Sequence, residues 1–249
     1  MNLKRNLILL FSVCLLGIQT TTFAQAKSVK KTAAVEKKTT GDEATEIKRE
    51  KETLVEITTP FGIMVAKLYN STPLHRDNFM KLVNQGFYDS LLFHRVIKGF
   101  MIQGGDPQSK HADSTSMLGN GSAPGDRVPA EFRPNFFHKK GALAAARDEN
   151  PQKASSNCQF YVVQGKRIDT AQLNSIEKSI KNNNPSFAYS PAQKEIYGRI
   201  GGTPFLDQNY TVFGEVISGL DVLDKIAAVQ TKPGDRPAQD VWMRMKIIH

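Results

Sequence analysis

The sequence predicts a mainly β fold, an antiparallel barrel or sandwich, over residues 53–249 of a 249-residue chain. Three observations carry that expectation. Short alternating or β-branched runs recur between Gly- and Pro-containing turns, and only two core helical patterns lie among them. One long segment, about 166–204, interrupts the strands with helix-like stretches of its own. Composition and periodicity do not choose between barrel and sandwich.

Residues 54–58 alternate, Thr59-Pro60-Phe61-Gly62 makes a turn, and residues 63–69 resume as a strand, which is a hairpin signal. Pro73 stands near the start of a helical pattern with Phe79, Leu82 and Val83 on one face, and Gly86 stops it. Two short strands follow at 93–97 and 100–103, then a Gly/Ser/Pro loop over 104–130. Further strands are expected at 141–146, 159–163, 212–217 and 242–248, with a second helix at 220–229. The 166–204 segment carries helix-like stretches at 170–181 and 191–198. It is far longer than an ordinary connection, so it reads as an insertion on the rim of one domain.

The N-terminus reads as an export signal. Lys4 and Arg5 precede an apolar run over 7–18, and Ala24-Gln25-Ala26 has the small-residue pattern of a cleavage site. The run is shorter than the roughly 20 residues that span a bilayer. Residues 1–26 are therefore expected to be a signal peptide and the protein to be exported, to the periplasm in preference to full secretion. Cys14 raises a lipid-anchor reading, but Val13 before it and the apolar residues after it fit that poorly. Residues 27–52 mix charges with almost no large apolar side chains. They are expected to form a flexible tether, with a solvated helix conceivable near 43–52.

After cleavage only Cys158 remains, so no internal disulfide is expected, and its apolar neighbours suit a packed thiol. Loss of Lys4 and Arg5 lowers the formal charge of +9 by two. The remaining excess is spread out, with no basic stripe for nucleic acid and no specific membrane surface. His75, His111, His138 and His249 lack metal-ligand spacing, and no Gly-x-Ser-x-Gly elbow or other nucleophile–base pair supports a hydrolase. His94 alternates away from Arg95 and is expected to pack or bond internally.

The most informative stretch is Phe93-His94-Arg95-Val96-Ile97-Lys98-Gly99-Phe100-Met101-Ile102-Gln103-Gly104-Gly105-Asp106-Pro107. An arginine and a glutamine sit among large apolar residues, a combination suited to catalysis by shape and hydrogen bonding. By strand period Met101 and Gln103 share a face, as do Gln159 and Tyr161. This string closely resembles the signature of cyclophilin-type peptidyl-prolyl cis–trans isomerases, and the resemblance extends over most of 54–248. It implies a closed eight-stranded antiparallel β-barrel capped by two helices, and no metal or cofactor. Substrates would be proline-containing unfolded or partly folded polypeptides, and a monomer is expected.

Carried over by motif, the resemblance makes Arg95 the catalytic donor, Phe100 and Met101 walls of a proline pocket, and Gln103 a contact to the peptide backbone. In Gly141-Ala142-Leu143-Ala144-Ala145-Ala146-Arg147, Ala146 and Arg147 would present backbone groups to the substrate. Whether the Arg147 side chain also takes part or is a solvated charge stays open. Gln159 would position Arg95 and the substrate, and Tyr161 replaces a phenylalanine at the pocket base, where its hydroxyl needs a partner. Leu206 would close the pocket and Phe205 beside it would contact the substrate, with Tyr210 where many members have histidine. Phe205 also stands where cyclosporin-sensitive members have tryptophan. The single tryptophan, Trp242, is expected in the core. A competing reading keeps the groove but makes it a non-catalytic, chaperone-like binder of Pro-containing segments.

Overall fold

The computed structural model describes residues 51–248. The export signal expected at 1–26 and nearly all of the 27–52 tether, including most of its conceivable helix, lie outside these residues. Eight strands form one antiparallel sheet: β1 (Leu54–Thr59), β2 (Gly62–Leu68), β3 (Phe93–Ile97), β4 (Met101–Gly104), β5 (Ala142–Ala145), β6 (Phe160–Val163), β7 (Val212–Ser218) and β8 (Arg244–Ile248). Their order across the sheet is β3-β4-β6-β5-β7-β2-β1-β8. Four α-helices accompany them: α1 (Pro73–Asn84), α2 (Thr170–Lys181), α3 (Pro191–Arg199) and α4 (Leu220–Ala227). The first and last pack on the sheet, and α2 and α3 belong to the insertion.

The sheet curls but does not close, which corrects the closed barrel expected from the resemblance. β3 and β8 are both edges, and the seam between them is a single antiparallel bridge, Leu92 with Trp242. Three backbone bonds, Ser90 N to Met243 O (2.9 Å), Phe93 N to Val241 O (2.8 Å) and Met243 N to Leu91 O (2.9 Å), tie it around that point. Further along, the edge of β3 faces the 231–240 loop instead of a strand, with Val96 N donating to Asp235 O at 2.8 Å. Pro233 and Pro237 in that loop have no N–H to extend a ladder, so the half-barrel stays open there. Trp242 is correspondingly half-exposed at 42%, not in the core.

Alternation sorts the side chains. Ile102, Leu143, Phe160 and Val162 point into the main core with Phe79 from α1, Leu223 and Ile226 from α4, and Tyr88 from the turn after α1. Met101, Ala144, Tyr161 and Val163 gather on the opposite face in a second cluster. In β3 the pairing slips by one residue between Phe93 and Arg95, and His94 is the extra residue. The bulge keeps Phe93 and Val96 in the core while Arg95 pairs with Gln103.

Local signals explain the helix ends. Asp169 and Ser190 cap α2 and α3 through reciprocal capping boxes with Gln172 and Gln193. Thr72 makes no such bond to α1. Its N-terminus is capped from a distance by the buried Glu131 carboxylate, which accepts Leu74 N–H (3.2 Å) and His75 N–H (3.0 Å).

Glu131 Oε2 also lies 2.7 Å from His75 Nδ1, and His75 Nε2 lies 2.9 Å from Ser155 Oγ. The fold thus assembles a serine–histidine–carboxylate contact that the sequence did not reveal. Ser155 is only 1% exposed, and the adjoining cavity of about 10 Å³ barely reaches the size of one water. A nucleophile needs access, so this set braces α1 against the 128–155 bridge and does no hydrolysis. Cys158 is likewise sealed in the core, where burial pushes its thiol pKa up and away from reactivity.

His94 is buried, and neither ring nitrogen finds a well-formed hydrogen bond. Desolvation pulls its pKa down from 6.5 to about 4, only partly offset by Asp106. The folded protein therefore binds fewer protons than the unfolded chain, and stability drops as pH falls from about 6.5 through about 4. The loss from His94 is about 2 kcal/mol by about pH 5. Burial lowers the His75 pKa as well and adds to the decline. Urea unfolding at about pH 8 and about pH 5 should show His94→Leu losing clearly less stability than wild type on acidification. Equal losses would remove His94 as the source.

Candidate active site

Strand register lays the site out as a row. Arg95 on β3 pairs with Gln103 on β4, Gln103 with Tyr161 on β6, and Tyr161 with Ala144 on β5. All four project from the face opposite the main core.

Hydrogen bonds then orient the polar members. Both donors of the Gln159 amide go to carbonyls, Gly119 O at 2.9 Å and Gly121 O at 2.8 Å. Its Oε1 must therefore face Gln103, whose Nε2 donates to it at 3.1 Å. That in turn aims Gln103 Oε1 at the Arg95 guanidinium, which approaches through Nη1 at 3.5 Å. On its other side Arg95 Nε donates to Asp235 Oδ2 at 3.3 Å, 140 residues away in sequence. Of the five guanidinium N–H groups, the rest have no protein partner among the described residues, and Arg95 lines the small cavity described next.

All of the expected site residues except Gln159 and Phe205 line one cavity of about 100 Å³: Arg95, Phe100, Met101, Gln103, Ala146, Arg147, Tyr161, Leu206 and Tyr210. That is well below the roughly 300–1,000 Å³ of a drug-sized site and suits a single small ring. Gln159 sits behind this cavity and acts through Gln103. Phe205 lies outside, 53% exposed on the rim, its ring 5.6 Å from that of Phe100. The turn that places Leu206 inward sends its neighbour Phe205 out.

A second, more polar cavity of about 650 Å³ adjoins the first and shares Gln103, Ala146 and Arg147 with it. Gln159, Asn120, Asp126, Arg127, Asp148 and Asn157 are among its other lining residues. Arg147 divides the two. Its Nε donates to Asn209 O at 2.9 Å and Nη1 to Asp148 O at 3.0 Å, and its guanidinium lies 4.6 Å over the Tyr210 ring. It is a held wall and not a loose surface charge. The backbone of Ala146 is committed to the fold, its N–H donating to Gln159 O (2.9 Å) and its carbonyl accepting Ser156 N–H (2.8 Å). The backbone N–H and C=O of Arg147 make no such bonds among the described residues and are open to a peptide.

The Tyr161 hydroxyl has a partner, His138 Nε2 at 2.9 Å, and the two rings stack at 6.0 Å. Burial raises the Tyr161 pKa well above the ordinary phenol, so the group stays protonated. His138 Nδ1 bonds Asp207 Oδ1 at 2.6 Å. Sequence reasoning gave His138, Asp207 and Asp235 no role at the site. Asp207 lies within a matching motif, and a Tyr in place of Phe was a hint that some polar group waits below. Nothing in the sequence points to Asp235.

The comparisons agree with this geometry. A family model described as "Cyclophilin type peptidyl-prolyl cis-trans isomerase/CLD" matches residues 54–247. The chain belongs to that family. As a cyclophilin it is a peptidyl-prolyl cis–trans isomerase. It is similar to a Staphylococcus aureus protein named "Putative peptidyl-prolyl cis-trans isomerase", 36% identical over 181 residues that cover 72% of this chain and 83% of that one. A namesake from Staphylococcus saprophyticus is 33% identical over the same coverage. Among solved structures, a Cryptosporidium parvum cyclophilin-type isomerase aligns with TM-score 0.58 at 22% identity, over 80% of this chain and 99% of that one, and supports the fold.

The amide relay gives this cyclophilin a testable weak point. Gln159→Leu keeps much of the volume but removes both donors to Gly119 and Gly121 and the acceptor that aims Gln103. We expect kcat/KM for a proline peptide to fall about 10- to 100-fold, with a lowered Tm from the loosened 119–121 loop. Unchanged kinetics would mean that Gln103 is aimed by something else.

Proposed function

We propose that the protein accelerates rotation about X-Pro bonds in exported polypeptides without a covalent step, with Arg95 as the key donor. Rotation is slow because amide resonance gives the bond a barrier of about 18–20 kcal/mol. Once the amide twists, its nitrogen gains a lone pair and its carbonyl loses conjugation. A charged donor placed where the twist develops favours that state over the planar one. Arg95 is held on two sides, by Asp235 and Gln103, keeps unused N–H groups and lines a ring-sized cavity. That observation carries the reading.

The proline ring would occupy the small cavity between Phe100, Met101, Tyr161 and Leu206. The open backbone groups of Arg147 would pair with the peptide, and flanking residues would extend into the larger cavity. A solved relative was crystallised in the presence of the dipeptide Ala-Pro; it aligns with TM-score 0.57 at 23% identity. Support for exported substrates comes from residues 1–26, with their basic start, apolar run and Ala-x-Ala site. Cell fractionation tests it, and recovery of the uncleaved chain in the cytoplasm would refute export.

Isomerisation of a short Ala-Pro peptide, followed by exchange NMR, tests the donor. Arg95→Ala is expected to lower kcat/KM at least about 100-fold while peptide binding persists, and Arg95→Lys to recover little because the planar fork is lost. Equal turnover in wild type and Arg95→Ala would sink the assignment and return the non-catalytic binder. The exposed Phe205 offers no indole donor, so cyclosporin should bind weakly. Phe205→Trp is expected to tighten it about tenfold by titration calorimetry, an effect consistent with one added hydrogen bond.

A further inference from the structure

We propose that the 166–204 insertion fixes the floor of the proline pocket through a buried hydrogen-bond relay from Tyr189 and Tyr197, through Asp207 and His138, to Tyr161. The inference rests on the reading of the small cavity as the proline pocket, and it makes the four outer residues positioning residues.

The relay hinges on a buried carboxylate. Asp207 is 2% exposed and accepts four hydrogen bonds. Two come from His138, its backbone N–H at 2.9 Å and Nδ1 at 2.6 Å. Two come from the insertion, Tyr189 Oη at 2.7 Å and Tyr197 Oη at 2.6 Å. A carboxylate stripped of water is costly unless its lone pairs are filled, so half of what makes Asp207 tolerable here is supplied by the inserted segment.

The direction of the bonds follows from Asp207. With His138 Nδ1–H donating to Oδ1, the other nitrogen of a neutral imidazole is an acceptor, and Tyr161 donates its O–H to Nε2. The Tyr161 ring is thereby locked at the pocket base and presents an apolar surface, as a phenylalanine would.

The insertion is built to hold its end still. Tyr189 and Tyr197 lie in a small core of their own with Leu173, Ile180 and Phe187, their rings edge to face at 5.6 Å. Burial raises both phenol pKa values, which keeps them as donors. At the exit, Thr203 N–H donates to the His138 carbonyl at 2.8 Å. Gly202 lies so close to that carbonyl that an added Cβ would meet it at 2.2 Å. The insertion therefore grips the His138 backbone directly and its side chain through Asp207.

Phenylalanine at 189 and 197 removes the two donors and keeps the rings. We expect Tyr189→Phe with Tyr197→Phe to raise KM for a proline peptide about fivefold with kcat nearly unchanged, because the pocket loosens while Arg95 is untouched. In a Tyr161→Phe background the same pair should add almost nothing, since the relay then has no terminus. The NMR resonance of 13Cζ-labelled Tyr161 reports its hydroxyl hydrogen bond whether or not the protein turns over, and it should shift in the pair. The single variants, each retaining one donor, should show smaller shifts in the same direction and serve if the pair does not fold. An unmoved Tyr161 signal, or losses that multiply independently of Tyr161, would overturn the relay. An inactive wild type in which Tyr161 still responds would overturn the isomerase reading alone.

Discussion

The pairing of Gln103 with Tyr161 across β4 and β6 is the constraint from which the site follows. In a strand, neighbouring side chains take opposite faces, so this register commits Ile102, Phe160 and Val162 to the core and Met101, Gln103 and Tyr161 to the groove. A slip of one residue would bury the glutamine and expose the phenylalanine. The bulge at His94 then brings β3 into step, placing Arg95 opposite Gln103 without removing Phe93 or Val96 from the core. His94 absorbs the mismatch, buried with unsatisfied nitrogens.

Around that row the protein uses polar groups sparingly and fills nearly all of them. Gln159 spends its donors on two loop carbonyls, which leaves a single direction for the amides that lead to Arg95. Glu131 and Asp207 are both buried carboxylates, and each joins segments that are distant in sequence. Glu131 ties the start of α1 to Ser155 through His75, and Asp207 ties the insertion to the pocket base through His138. Such groups cost more than apolar packing unless fully bonded, but they fix orientation as well as distance. Orientation matters for the mechanism proposed above, in which shape and aimed donors act without a bond to the substrate.

Much of this was legible in the chain itself. The strands at 93–97 and 212–217 and the helices at 170–181 and 191–198 appear close to where local patterns put them. Nine of the motif residues between Arg95 and Tyr210 line one cavity. These features rest on short-range periodicity or on strings long enough to be specific. The misplaced ones depend on what lies across space. Trp242 is half-exposed because the seam beside it has only one bridge. The closed barrel failed for the same reason, as no local pattern tells whether a loop with two prolines will lie along the last edge.

By itself, then, the sequence determined which face of each strand is apolar, where the helices start, and that an arginine and two glutamines accompany a ring-lined groove. Tertiary structure alone decided the partners of those groups: Asp235 for Arg95, His138 and Asp207 for Tyr161, Glu131 for the start of α1, and a sealed setting for Ser155. The division is physical. Periodicity and capping act over a few residues and leave their trace in the local order of side chains. A hydrogen bond between residues 95 and 235 depends on how the whole sheet curls.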